Sequence, residues 1–180
     1  IVSAVLVSFI WVFIFTNAMP ALGGVLGWDW LANISWFGTP SMATVTIIVV
    51  SIWQNIGFLM IIYTAGLQTI PKDVMESAEL DGCSGLKKVL KIELPLLMPT
   101  VTINLFVSIS GAFKSFDIPN AMTGGGPYGS TMPVAMNIYQ EAFTKYNLGY
   151  GSAKSVILFL TVAAVTLIQL YCTRKKEVEY

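Results

Sequence analysis

The sequence predicts an all-α integral membrane protein, a polytopic helical bundle with about four spans. Composition is the first reason: 55% of the 180 residues are hydrophobic and only 11% are charged, against about 25% charged in an ordinary soluble domain. So little polar surface cannot cover a water-exposed globule, and the mean hydropathy of +0.71 agrees. The second reason is four apolar runs on the scale of the roughly 20 residues needed to cross the hydrocarbon core. The third is that the charges gather between and after those runs. With a formal net charge of zero, their placement carries more information than their sum, and no basic excess points to nucleic acid.

The spans are expected at about 1–16, 43–67, 94–116 and 153–172, in one transmembrane domain covering 1–180. Ile1 to Phe15 is apolar from its first residue, without initiator Met or basic flank. It reads as the end of a span in a carboxyl-terminal fragment, not as a signal peptide. The second run, about Ala43 to Leu67, contains Trp53, Gln54 and Asn55 but no charge. The third opens with Pro95 and Pro99, tolerable in the first turns of a helix, and closes near Lys114, which can snorkel. The fourth, Ala153 to Cys172, ends in the basic stop Thr173-Arg174-Lys175-Lys176-Glu177.

Charge orients these spans. Lys72, Lys87, Lys88 and Lys91 lie between spans two and three, and Arg174, Lys175 and Lys176 follow span four. By the positive-inside rule that side is cytoplasmic, so 68–93 is a cytoplasmic loop. Thr16 to Met42 and Asp117 to Ser152 then face outward. Trp28, Trp30, Trp36 and Phe37 in the first, and Tyr128, Tyr139, Tyr146 and Tyr150 in the second, suit headgroup level, although a partner surface would also use aromatics.

Catalytic chemistry finds little support. Without histidine the chain lacks the commonest general base and metal ligand. Cys83 and Cys172, far apart and on the predicted cytoplasmic side, imply neither a disulfide nor a metal site. Gly124-Gly125-Gly126-Pro127 lacks the Lys-Ser/Thr ending of a P-loop and falls on the outer side. No cofactor is expected, and any nucleotide must be bound by another chain.

Within the loop, Pro71 suits an early helical position and Asp73 puts a negative charge in the first turn. Val74 to Leu80 reads as a short helix that Asp81-Gly82 stops. A second helical stretch, about Ser84 to Leu94, has Leu86, Val89, Leu90 and Ile92 on an apolar face and Lys87, Lys88 and Lys91 opposite. The result is a helix-turn-helix knuckle. An amphipathic loop resting on the membrane is the plainer reading. Against it stand Ser77, Ala78, Gly82, Cys83, Ser84 and Gly85, which permit close approach, and Glu76, Glu79 and Asp81, which anionic headgroups repel.

Glu76-Ser77-Ala78, Asp81-Gly82, Ile92, Leu94-Pro95 and Pro99 together resemble the EAA loop of binding-protein-dependent ABC importer permeases. Ser77 replaces the usual alanine, and Val89 stands where carbohydrate-type members often carry phenylalanine. Phe116-Asp117-Ile118, Thr123 to Pro127, Ser130-Thr131 and Ile138-Tyr139 through Ala142-Phe143 are similar to the last outer loop of carbohydrate and glycerol-phosphate-type permeases. The resemblance covers nearly the whole chain and implies a type I ABC importer permease, with this sequence the carboxyl-terminal two-thirds of six core spans. It also implies an inner-membrane subunit for a sugar or related solute, not itself an enzyme. Its expected partners are ABC ATPase subunits, a second permease subunit, an extracytoplasmic solute-binding protein and membrane lipid. Glu76, Ser77, Ala78, Asp81 and Gly82 would form the coupling site, with Glu76 pairing with a cleft arginine.

For the solute path, Asn104, Ser108, Gly111 and Ser115 recur at helical spacing on span three. Helix contact uses the same residue types. Asn55 and Phe58 on span two offer an amide one turn from an aromatic ring, a combination that suits sugars. The Gly-Gly-Gly-Pro turn reads as a tight re-entry turn or as a contact for the binding protein. An ion-coupled secondary carrier is the alternative function, disfavoured because no carboxylate lies within a span. A membrane-embedded enzyme would need convergent acid, base or metal ligands in the spans, and the sequence has none.

Overall fold

The computed structural model describes residues 2–175, which contain helices, turns and no strand. Ile1 and, from the expected basic stop, Lys176 and Glu177 lie outside the described residues. The helices are α1 Ala4–Leu26, α2 Asp29–Ala32, α3 Pro40–Gln68, α4 Lys72–Leu80, α5 Leu86–Leu96, α6 Met98–Phe113, α7 Asp117–Thr123, α8 Val134–Tyr139 and α9 Leu148–Arg174. Residues up to Asn55 with Phe113–Leu158 form one compact unit, and Ile56–Ala112 with the residues from Phe159 form a second.

Helices α1, α3 and α9 are long and apolar enough to cross a membrane, and α5 with α6 make a fourth, broken candidate. The 29 residues of α3 rise about 44 Å at about 1.5 Å each, more than the core of a bilayer requires.

The first helix runs past the expected end near Thr16 and stops only at Leu26. Pro20 would break an ordinary helix, since it lacks an N–H and its ring crowds the carbonyl four residues back. A π turn over Ile14–Ala18 absorbs that defect. Gly27, at φ +69°, then ends the helix, and the Trp28 amide donates to Gly23 O at 2.8 Å.

The third run also departs from one continuous helix over 94–116. Pro99 cannot donate to Pro95 and Pro95 cannot donate to Lys91, so two rungs of the ladder are missing within one turn of each other. The chain answers with a π turn at Val89–Glu93 and a break at Leu97, where α5 and α6 meet at 70°.

In the first unit, Ala43, Thr46 and Val50 of α3 recur at helical spacing and are wholly buried. Val7, Phe15, Val50 and Met122 form the core, with Trp11, Trp36, Phe37 and Ile118 packed around it. Phe15 stacks on Trp11 at 5.3 Å and lies 4.8 Å from Trp36. The aromatic group Trp28, Trp30, Trp36 and Phe37 divides by burial. Trp36 and Phe37 are partly buried against the core, to which their rings add apolar contact area. Trp28 and Trp30 stay exposed and stack on each other at 6.4 Å.

In the second unit, Gly66 of α3 lets α6 approach so closely that a Cβ there would lie 2.8 Å from Thr100 Cγ2. Gln169 Nε2 of α9 donates to Thr102 O at 3.3 Å and to Thr173 Oγ1 at 3.2 Å.

Candidate functional site

The loop between α3 and α6 is built around the end of α4. The Gly82 amide donates to Glu79 O at 3.0 Å and the Cys83 amide to Ala78 O at 2.9 Å, the paired bonds of a Schellman motif. Gly82 holds φ +70° and Gly85 φ +57°. Both are in the left-handed region where a Cβ is strained, so the bend needs glycine at these positions. Nothing lies within 4 Å of a Cβ built on either. Backbone conformation, not crowding, makes the requirement.

Lys88 Nζ reaches back across the bend to donate to Glu79 Oε1 at 2.7 Å. That hydrogen bond, then the lysine charge, holds the Glu79 carboxyl below its ordinary range. The two arms of the knuckle are thus clipped together. Ala78 is buried inside it, whereas Glu76, Ser77, Asp81 and Gly82 are exposed. Glu76 has no ion pair among the described residues. Leu80 and Leu86 stand out on either side of the bend, 89% and 79% exposed.

The four path candidates have different settings. Asn55 is exposed, its Nδ2 donating to Ser51 O at 2.8 Å, and Phe58 one turn on is exposed. Asn104 is buried in the second unit, with neither amide atom hydrogen bonded. Ser108, one turn away, is exposed. The helical row from Asn104 to Ser115 is therefore not uniform in its surroundings.

In the first unit, the Gly-Gly-Gly-Pro turn is held by a small hydroxyl network. Thr123 Oγ1 and Thr131 Oγ1 are 2.7 Å apart, and Thr131 Oγ1 also donates to Gly126 O at 2.7 Å. A second cluster there was not assembled from sequence. Glu141, almost buried, accepts from Lys145 Nζ at 3.1 Å, Asn147 Nδ2 at 3.3 Å and Lys154 Nζ at 3.5 Å. Lys154 also donates to Asn137 Oδ1 at 2.8 Å and lies 4.4 Å over the Tyr150 ring. Hydrogen bonds from Lys145 and Asn147 outweigh desolvation and lower the Glu141 pKa. The available signal was one acid, Glu141, in an apolar stretch with lysines at 145 and 154.

A model of the family described as binding-protein-dependent transport system inner membrane component matches residues 1–178. The chain belongs to this family. Among curated relatives, a probable starch degradation products transport system permease protein, AmyD, of Thermoanaerobacterium thermosulfurigenes is 35% identical over 179 residues, covering 99% of this chain and 61% of its own. The sulfoquinovosyl glycerol transport system permease protein SmoG of Agrobacterium fabrum is 39% identical over 145 residues, covering 81% of this chain and 47% of its own. The chain thus spans about three-fifths or less of the length of these relatives.

A bacterial ABC transporter involved in the import of the acidic polysaccharide alginate matches in structure with a TM-score of 0.85 at 20% identity, over 97% of this chain and 61% of that one. The family and this likeness establish the fold as that of a type I ABC importer permease. They also bear out the expected inner-membrane location.

Proposed function

We propose that the chain is part of the permease subunit of an ATP-driven importer for a sugar or related solute, coupled to a separate ATPase through 76–85. The observation that carries this reading is the clipped knuckle, which presents an unpaired Glu76, Leu80 and Leu86 around a glycine bend. A bend locked by backbone bonds and one ion pair can transmit a push, where a slack loop would absorb it. Asp81 supports the same reading. An acid at a helix C-terminus is disfavoured by the helix dipole by about 0.3–1 kcal/mol, so helix stability does not explain it.

Long apolar helices α1, α3 and α9 and the segment 94–116, carried mainly by α6, are the spans, and 68–93 faces the cytoplasm. ATPase subunits, a second permease subunit and an extracytoplasmic solute-binding protein complete the machine. The sugar class rests on relatives named for starch degradation products and sulfoquinovosyl glycerol. Helices α1, α3, α6 and α9 contain no Asp or Glu, which disfavours an ion-coupled carrier.

Cys83, half-buried in the bend, is the reporter. In the full-length parent carrying Cys172→Ser, a thiol reagent applied from the cytoplasmic side should label Cys83 in the free permease and be blocked by the assembled ATPase. Full labelling in a verified complex would remove 76–85 from the interface.

A further inference from the structure

We propose that α5 is an interfacial helix that lies on the cytoplasmic leaflet and binds anionic phospholipid headgroups. The inference rests on the membrane reading of α6 but not on coupling to an ATPase.

The 70° bend at Leu97 provides the geometry. With α6 upright in the bilayer, α5 runs within about 20° of the membrane plane, the attitude of an amphipathic surface helix. Its apolar face is unpartnered among the described residues, with Val89, Leu90 and Leu94 between 43% and 60% exposed. Lys87 and Lys91, four residues apart, are exposed and carry no ion pair among the described residues. Lys88 is taken by Glu79, and Glu93, the one acid on α5, is half-buried. Exposed leucines flanked by free lysines fit the boundary between acyl chains and anionic headgroups.

The knuckle separates charge by sign. Asp73, Glu76, Glu79 and Asp81 lie before the Gly82–Gly85 bend, and Lys87, Lys88 and Lys91 after it. An anionic leaflet therefore repels α4 and attracts α5. A hydrogen bond from Gln169 to Thr102 O brings the end of α9 beside the start of α6. Arg174 and Lys175, five and six residues beyond Gln169, add to the positive charge.

The test uses the full-length parent permease in nanodiscs, without ATPase or ATP, with both native cysteines changed to serine. A bimane on Leu90→Cys should be quenched by lipids brominated near the headgroup, while one on Leu80→Cys should not. An unquenched Leu90 probe would show the face covered by protein and overturn the proposal. Spin-labelled phosphatidylglycerol should associate in preference to phosphatidylcholine, and Lys87→Gln and Lys91→Gln should each reduce that preference about fivefold. An unchanged preference in the double variant would equally overturn it. Because no ATPase is present, failure here leaves Cys83 protection standing, and failure of that protection leaves this result standing.

Discussion

Gly151→Ala places a methyl where α9 passes the π turn at Gln140–Thr144. An ideal Cβ at 151 would lie 2.7 Å from Ala142 Cβ, 3.1 Å from Ala142 Cα and 3.3 Å from its amide nitrogen. Carbon atoms settle at about 3.5–4.0 Å, so the two segments must separate by roughly 0.8 Å or more at the tightest contact. No rotamer relieves this, because Ala142 has no side-chain torsion and two of the three obstacles are backbone. Overpacking of this kind costs about 1–3 kcal/mol, and the better helix propensity of alanine offsets at most about 1 kcal/mol. Taken in full, that offset leaves a net loss of up to about 2 kcal/mol. Gly149, two residues earlier on the same helix, has nothing within 4 Å of a built Cβ. The same substitution there should be neutral or mildly stabilising. The assay is reversible unfolding of the purified full-length parent in detergent, with Ala142→Gly completing a double-mutant cycle. The cycle should show a coupling of about 1 kcal/mol or more. Equal stability of the two alanine variants, or no recovery with Ala142→Gly, would refute the argument.

Three further outcomes are expected. In reconstituted transport, Glu76→Lys should uncouple ATP hydrolysis from uptake, and pairing Glu79→Lys with Lys88→Glu should restore the clip without rescuing Glu76→Lys; equal defects at 76 and 79 that the swap rescues alike would remove Glu76 from the interface. The Glu79 carboxyl is held below its ordinary value of 4.5 by Lys88, so the clip's contribution is present above that value and lost as pH falls through the depressed one. A spin label on Cys83 should gain mobility in that acid window, and Glu79→Gln should be mobile at neutral pH already; identical mobility in the two proteins at neutral pH would show that the clip does not hold the bend. Because the Asn104 amide is buried without a partner, Asn104→Leu should leave the fold as stable or raise its stability by about 1–3 kcal/mol while weakening solute uptake. Loss of stability with normal uptake would take Asn104 out of the path.

The long apolar helices were legible because a bilayer imposes a composition that no packing detail can disguise. The knuckle was legible because Pro71, Asp73 and Asp81-Gly82 are local signals whose meaning depends on backbone conformation within a few residues. Helix continuity was less so. Pro20 and the Pro95/Pro99 pair have the same local chemistry, yet one is absorbed by a π turn inside one continuous helix and the other accompanies a 70° break. Which response occurs depends on what packs around each proline.

The polar details behaved the same way. Glu141 with Lys154, and Gln169 with the Thr102 carbonyl, are 13 and 67 residues apart, so no periodicity links them. Trp28 and Trp36 look alike in sequence, but one is exposed and the other packs against Phe15. The sequence by itself determined the solvent this chain is made for, the clustering of its charges between and after the apolar runs, and the glycine bend of its loop, since each follows from local composition or backbone strain. Only the tertiary structure decided which polar groups meet, which remain unpaired, and where a span breaks, because those depend on distances between segments that meet only when the chain packs.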